Sequence, residues 1–227
     1  KKNKNLKIIK GDIRNTNLLS KSCKNHDIFL HLACISNDNS FELNSKLSKS
    51  INYDCFEPMV QAAKASDIKR FIYASSSSVY GLSKKRNVKE DHPLLPLTLY
   101  NKYKGMCEPI LFKHTDQNFE GVVFRPATAC GYAPRMRLDL SVNILTNFAF
   151  NKKFIKVFGG NQLRPNLHIL DYCDAVLKLI RAPAHKIKDK IFNVGHQNMS
   201  IYNLALRVKK IISKKTSSKI KIIRTKS

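Results

Sequence analysis

The sequence predicts an α/β fold, a parallel sheet covered by helices. Short apolar runs alternate with amphipathic stretches throughout the chain, the rhythm of strand–helix–strand units. Ile28-Phe29-Leu30-His31-Leu32-Ala33 is apolar almost without interruption, as strands buried on both faces are. The longest apolar runs are strand-length, far short of the ~20 residues that cross a bilayer.

The elements follow in order. Leu6 to Ile9 reads as a strand leading into Gly11-Asp12, and Ile28 to Ala33 as the buried strand. The polar stretch Ser36 to Asn44 reads as a loop. Leu47 to Ala65 has helical character, with Pro58 kinking that helix or beginning a new one. Phe71 to Ala74 is a strand, Tyr100 to about His114 a helix bent at Pro109, and Gly121 to Arg125 the next strand. Beyond it come a helix at Val142 to Phe150, a strand at Phe154 to Val157 and a helix at Asp171 to Ile180. Ile191 to Val194 and Ile201 to Ile212 add one more strand and helix. There is no internal repeat, and only the basic C-terminal tail has low complexity.

The 227 residues suffice for one good core, or a large domain with a small appendage. The chain opens at Lys1 with nothing resembling a signal peptide. Cys23, Cys34, Cys55, Cys107, Cys130 and Cys173 show no CxxC or other metal-ligand spacing. They read as scattered reduced thiols of a cytoplasmic protein, and no metal site is expected. A net charge of +25 raises the question of nucleic acid. Against it, the lysines are spread over every segment instead of forming one stripe interleaved with aromatics. Compositional drift explains the charge, with some benefit for attracting an anionic ligand.

The chemistry is concentrated in Thr98-Leu99-Tyr100-Asn101-Lys102-Tyr103-Lys104, downstream of Ser75-Ser76-Ser77-Ser78-Val79-Tyr80-Gly81. Tyr100 and Lys104 are one helical turn apart and share a face. An ammonium near a phenol favours the phenolate. Bringing a tyrosine from ~10 to near neutrality takes about 4 kcal/mol at ~1.4 kcal/mol per unit. The product is a general base able to take a proton from a hydroxyl.

With these segments the chain resembles the extended short-chain dehydrogenases/reductases of the nucleotide-sugar epimerase/dehydratase type, such as the UDP-glucose 4-epimerases. The matching segments run in family order: Gly11-Asp12-Ile13, His31-Leu32-Ala33, Asn52, Phe71 to Gly81, and Tyr100 to Lys104 followed by Glu108. Then come Phe124-Arg125-Pro126, Arg164-Pro165-Asn166-Leu167-His168-Ile169-Leu170-Asp171 and Phe192-Asn193-Val194-Gly195. The resemblance implies a Rossmann-like doubly wound parallel sheet. Residues 1–130 are a partial NAD-binding domain, and residues 131–227 are mostly a small substrate-binding region.

No GxGxxG or GxxGxxG occurs, so the turn that holds the dinucleotide pyrophosphate at a helix N-terminus has no counterpart. The family comparison therefore reads the chain as an internal fragment lacking its first strands and its closing helices, a piece expected to bind NAD poorly by itself.

The resemblance also assigns roles. Ser76, Tyr100 and Lys104 are the expected catalytic residues. Ser76 hydrogen-bonds the reacting sugar oxygen while Tyr100 takes the hydroxyl proton and hydride leaves the same carbon for the nicotinamide. Asp12 and Ile13 contact adenine. Leu32 and Ala33 pass the cofactor ribose and pyrophosphate, with His31 there either as a cofactor neighbour or as a satisfied core histidine. Asn52, Tyr100 and Lys104 are expected cofactor contacts as well, Asn52 by steadying a backbone kink or water near the lysine, and Pro126 borders the nicotinamide. Substrate contacts fall to Ser76, Thr128, Arg137, Asn143 and Arg164. Thr128 replaces an asparagine common in epimerases. A guanidinium such as that of Arg164 clasps a diphosphate with two parallel hydrogen bonds. Near Arg137 and Asn143 the competing reading is a plain helix entrance capped near Ser141. Dehydratases of the family carry an Asp-Glu pair where Ser77 and Ser78 stand here, which argues against dehydration.

The implied function is an NAD-dependent nucleotide-sugar epimerase acting at sugar C4, with NAD expected ahead of NADP. The implied partners are a nucleotide-diphosphate sugar and, for the full-length form, a second copy in a homodimer. The alternatives are a nucleotide-sugar 4-dehydrogenase/reductase, a non-catalytic nucleotide-binding module and a basic nucleic-acid binder.

Overall fold

The computed structural model describes residues 4–36, 38–83, 85 and 87–225. The elements are α1 (Thr16–Cys23), β1 (Ile28–His31), α2 (Asp38–Leu43), α3 (Ser45–Lys49), a π-helical stretch (Ser50–Asp54) and α4 (Phe56–Lys64). β2 (Arg70–Ala74), a 3₁₀ turn (Ser77–Tyr80), α5 (Leu99–Lys113), β3 (Glu120–Pro126), β4 (Thr128–Cys130), α6 (Ser141–Lys152) and β5 (Phe154–Phe158) follow. The chain continues through β6 (Leu163–His168), α7 (Ile169–Arg181), α8 (Ala184–Ile187), β7 (Lys190–Val194), β8 (Gln197–Ser200), α9 (Ile201–Thr216) and β9 (Lys221–Thr225). It divides into two compact units. The first is the chain up to Arg125 with Lys178–Asn193, and the second is Pro126–Leu177 with the chain from Val194 on.

The first unit is built on a four-stranded sheet in the order β1-β2-β3-β7. β1, β2 and β3 run parallel, with Ile28 opposite Arg70 and Arg70 opposite Glu120. Every residue of β2 is buried, as a central parallel strand requires. Phe56, Met59, Val60 and Ala63 of α4 and Cys107 and Leu111 of α5 close over Phe71, Tyr73 and Val123. Arg70 is the charged member of β2. Its Nε donates to Glu120 at 2.7 Å, and its NH1 donates to the carbonyls of Leu179 and Ile180 at 2.8 Å each. These are last-turn carbonyls of α7 without helical partners of their own.

Several expectations from the sequence are corrected. Leu6 to Ile9 forms no strand. A strand persists only where its backbone pairs, and Leu6, Ile8 and Ile9 are exposed with no pairing partner among the described residues. The strand expected to be buried on both faces is half-buried over Ile28 to Leu30, lies at the edge of the described sheet and ends at His31, so Leu32 and Ala33 belong to the loop after it. The stretch expected to be a loop holds α2, anchored by the fully buried Phe41. The single helix over Leu47 to Ala65 is three pieces. Asn44 caps α3 by accepting from the Leu47 N–H, and a π-helical stretch precedes α4. Pro58 falls in the first turn of α4, where its missing N–H costs nothing. Pro109 sits inside α5 without ending it.

The second unit has a sheet ordered β4-β6-β8 and a two-stranded parallel sheet of β5 and β9. Its core is Leu145 and Ala149 of α6, Ile155 and Val157 of β5, and Leu204, Ala205 and Val208 of α9, closed by Ile220. The tail that reads as low-complexity therefore contains a strand, because Ile222 lies opposite Ile155 and completes this core. Lys226 and Ser227 lie outside the described residues. The cap of α6 is Leu140, with no side-chain bond, so Ser141 is not the cap. Its hydroxyl donates to Asn166 Oδ1 at 3.3 Å.

His31 is a core histidine. It is buried, stacks on Tyr73 at 5.7 Å and 15°, and faces Phe56 and Phe71. Burial, with the nearby Lys104 adding to it, pushes its pKa from 6.5 down to about 3. Between those values the unfolded chain binds a proton that the folded chain does not. Stability is therefore full above pH 6.5 and falls as pH drops towards 3. The slope contributed by His31 approaches about 1.4 kcal/mol per pH unit. Urea unfolding of the parent and of His31→Phe from pH 6.5 to about 4.5 should show a steeper loss for the parent. Parallel curves would mean that His31 titrates alike in both states.

Candidate active site

Ser75 continues β2 by one rung, its N–H donating to the Phe124 carbonyl at 2.9 Å. Ser76 is extended and caps the 3₁₀ turn, its Oγ accepting from the Ser78 N–H at 3.2 Å. Ser76 and Ser78 Oγ are 2.7 Å apart, and the Ser78 hydroxyl donates to Asn101 Oδ1. Ser78 has one hydrogen and gives it to Asn101, so the 2.7 Å contact is a donation from Ser76 to Ser78. This leaves Ser76 Oγ one lone pair with which to accept. The turn closes at Gly81 with φ +65°, where a Cβ would lie 1.9 Å from the Leu95 carbonyl oxygen. Only glycine fits there.

Thr98 caps α5 by accepting from the Asn101 N–H. Tyr100 is therefore in the first turn, half-buried, with Lys104 one turn on. Lys104 is buried, and its Nζ donates to the Ala74 carbonyl at 2.7 Å and stands 5.0 Å from the Tyr73 ring centre. Tyr73 OH donates to the Lys104 carbonyl at 3.2 Å. Desolvation holds the Tyr73 phenol well above its ordinary pKa, so it stays neutral. An ammonium has three N–H groups, and those of Lys104 make one hydrogen bond to the described residues.

Beneath this layer lies a network of polar groups in the core. Ser75 Oγ donates to Glu108 Oε1 at 2.6 Å. Arg125 donates to both Glu108 oxygens, Nε at 3.0 Å and NH2 at 2.5 Å. Arg125 NH1 donates to Tyr80 OH at 2.6 Å and to the Glu90 carbonyl at 2.9 Å. Tyr80 OH passes its hydrogen to Asn193 Oδ1 at 2.7 Å.

Around β1, Asn52 clamps the following loop. Its Oδ1 accepts from the Ile35 N–H at 2.9 Å and its Nδ2 donates to the Ile35 carbonyl at 3.0 Å. Leu32 and Ala33, in that loop, are exposed. Asp12 accepts from the Arg14 backbone N–H at 2.9 Å and from its guanidinium at 2.6 Å, which lowers the carboxyl to a pKa of about 2. Ile13 packs on the core of the first unit.

In the second unit, Thr128 of β4 lies opposite Asn166 of β6. Alternation along β6 puts Arg164 on the same face as Asn166 and Thr128. The Arg164 guanidinium is exposed and pairs with no described residue. Asn143 is buried and joins the loop before α6 to that helix, its Oδ1 accepting from the Gly131 N–H and its Nδ2 donating to the Arg137 carbonyl. Arg137 itself pairs with Asp139 at 2.6 Å. Pro126 ends β3 and opens this unit.

The structure thus gathers Ser76, Tyr100 and Lys104 at the end of β2 and the start of α5, and sets Thr128 and Arg164 on one face of another sheet. Sequence reasoning missed Asn101 and the linkage of Glu108, Arg125, Tyr80 and Asn193. A signal existed, since Arg125 follows Val122-Val123-Phe124 in an apolar strand, and a charge there demands a buried counter-charge.

The residues present suit parts of a dinucleotide. The Lys104 ammonium is a donor of the kind that ribose hydroxyls accept, and the Asp12 carboxylate is an acceptor of the kind that an exocyclic amine needs, although both its oxygens already accept from Arg14.

A family model described as the NAD dependent epimerase/dehydratase family matches residues 1–195. A UDP-glucose 4-epimerase of Lactobacillus helveticus is 25% identical over 229 residues, covering 89% of this chain and 68% of that protein. The chain spans 52–60% of three further curated relatives. Among solved structures, a UDP-N-acetylglucosamine 4-epimerase from Methanobrevibacter ruminantium, in complex with UDP-N-acetylmuramic acid, superposes with TM-score 0.81. It shares 24% identity, and the match covers 99% of this chain and 71% of that one. A dTDP-glucose 4,6-dehydratase from Streptomyces venezuelae with NAD bound gives TM-score 0.82 at 18% identity, covering 99% and 68%. By the extent of the family match, by this fold and by the order of its motifs, the chain belongs to the NAD-dependent epimerase/dehydratase family of extended short-chain dehydrogenases/reductases.

Proposed function

We propose that this chain carries the catalytic face of an NAD-dependent nucleotide-sugar epimerase. The observation that carries the reading is the buried Lys104 ammonium, with N–H groups to spare, one turn after Tyr100 and hydrogen-bonded at the root of the Ser76 segment. Asp12, Ile13, Leu32, Ala33 and Lys104 would hold parts of NAD, beside Pro126. NAD, when bound, supplies a hydride acceptor and donor for the sugar C4 carbon.

The residues of the chain supply the proton chemistry. Tyr100 takes the proton of the C4 hydroxyl and later returns it. Lys104 favours the phenolate by its charge. Ser76 turns its own hydrogen from Ser78 to the same oxygen and donates to it, which leaves the single hydroxyl hydrogen for Tyr100. Arg164 clasps the diphosphate, with Thr128 on its face of the sheet and the Arg137–Asn143 loop adding substrate contacts. Ser77 and Ser78 stand in place of an acid–base pair, and the Ser78 hydrogen is committed to Asn101. Neither can supply the carboxylate that elimination of water needs, which favours epimerisation over dehydration. The six free cysteines fit a reducing, cytoplasmic compartment.

The direct test is to incubate the full-length protein with UDP-glucose or UDP-galactose and follow interconversion by NMR. Release of a keto sugar with lasting NADH absorbance would instead make it a dehydrogenase. In this assay Tyr100→Phe should lower turnover by about 10²–10⁴-fold with unchanged nucleotide-sugar affinity, because it removes the base and little contact area. Activity within a few-fold of the parent would exclude Tyr100 as the base. Arg164→Ala should weaken UDP binding by about 1.5–3 kcal/mol, the range of a charge-assisted bond. Calorimetry giving equal affinities for parent and variant would remove Arg164 from the phosphate site.

A further inference from the structure

Arg125 lies behind the reactive layer and touches neither Ser76 nor Tyr100, yet its bonds end on the segments that carry them. It is buried, in a strand whose neighbours Val122, Val123 and Phe124 are wholly buried. Arginine only donates, so every direction in its network is set. Nε and NH2 go to Glu108, one turn beyond Lys104 on α5. NH1 goes to Tyr80, the last residue of the 3₁₀ turn that Ser76 caps. With its oxygen accepting from Arg125, Tyr80 gives its single hydrogen to Asn193. Asn193 is fixed in turn, its Nδ2 donating to the Val88 carbonyl and its backbone N–H to Glu90 Oε1. The remaining donor on Glu108 is Ser75, the residue before Ser76.

We infer that Arg125 and Tyr80 are positioning residues. Acting through Glu108 and Asn193, they hold both ends of the Ser75–Tyr80 segment against α5 and so set the spacing of Ser76 from Tyr100. The turnover consequence rests on the epimerase reading, whereas the restraint on the segment does not. A displacement of about 1 Å between reacting groups can cost roughly 100-fold in rate, so a network this rigid has a kinetic use beyond folding. A buried ion pair serving the fold alone would be anchored equally well without a phenol linking it to the serine turn.

Arg125→Met strands the Glu108 carboxylate in the core and risks unfolding, so the test uses Tyr80→Phe and Asn193→Ser. Tyr80→Phe keeps the ring against the Arg125 guanidinium, 4.8 Å from its centre, and removes only the hydroxyl link. Amide exchange should speed up by about 3- to 10-fold at Val79 and Gly81, whose N–H groups bond within the turn, the loss expected for one hydrogen bond. Core amides of β3 should be unchanged. In the epimerase assay kcat should fall by about 10- to 100-fold, with KM for the nucleotide sugar and the thermal midpoint near the parent values. Parent-like exchange at Val79 and Gly81 in both variants would overturn the inference, as would faster exchange with kcat unchanged. If the parent itself shows no turnover, the epimerase reading fails, and the exchange arm still decides whether Tyr80 restrains the turn.

Discussion

The Glu108–Arg125 ion pair is the interaction around which the first unit is organised. Both side chains are almost completely excluded from water. Removing two charges from water costs several kcal/mol each, and the attraction repays it only when every remaining lone pair and N–H is used. Here they are. Glu108 also accepts from Ser75, and Arg125 also donates to Tyr80 and Glu90. Burial alone would lower the Arg125 pKa, but the bonds to Glu108 and Tyr80 outweigh it, and the guanidinium stays charged. Losing one partner would leave an uncompensated buried charge, a cost of about 3–5 kcal/mol. The pair therefore does more to select one arrangement than to stabilise it. Any slip of α5 along β3, or of the serine turn over both, separates groups that cannot be left unpaired.

What was legible in the sequence follows from this physics. β2, β3 and α5 could be read because their apolar runs have no alternative to burial, and with α5 came the placement of Tyr100 and Lys104 one helical turn apart. The three-residue β4 and four-residue β8 are too short to show a period, and β6 is mostly exposed and polar. β9 was hidden for another reason. Lysine and arginine flank Ile222 and Ile223, so the strand looks like charged tail until β5 offers it a partner. α2 was obscured by Asp38, Asn39 and Ser40, residues that favour turns in isolation, and one phenylalanine reaching the core sufficed to order it. Asn143 was singled out as a possible ligand, and its side chain is engaged at both ends within its own unit. Polar residues that hold backbone and polar residues that hold ligands look alike in a sequence.

The excess of cations fits the same account. Most lysines and arginines make no ion pair among the described residues, so their mutual repulsion works against the compact state. Placement offsets part of it. Lys64, Lys113, Lys152, Lys178, Arg181, Lys214 and Lys215 fall in the last turns of α4, α5, α6, α7 and α9. There each gains about 0.3–1 kcal/mol from the partial negative charge of the helix end. The charge is dispersed along the chain, and a dispersed positive field attracts anions without tying them to one contact.

The serine turn shows how little separates related chemistries on one scaffold. A backbone of this shape presents three consecutive side chains, Ser76, Ser77 and Ser78, at the end of β2. With acidic residues at the second and third positions, the turn would carry groups that can add and remove protons from a second carbon. With serines, its hydrogen bonds run inward from Ser76 to Ser78 to Asn101. That direction has a consequence for Ser76. In this arrangement its one hydrogen is spent on Ser78, and it offers the outside only a lone pair. A hydroxyl that hands its single hydrogen to a base, or a carbonyl that has none, can be bonded by Ser76 only through that serine hydrogen. Turning the hydrogen outward gives up the Ser76–Ser78 bond and leaves the Ser78–Asn101 bond intact, so the inner end of the turn can stay fixed while Ser76 changes partner.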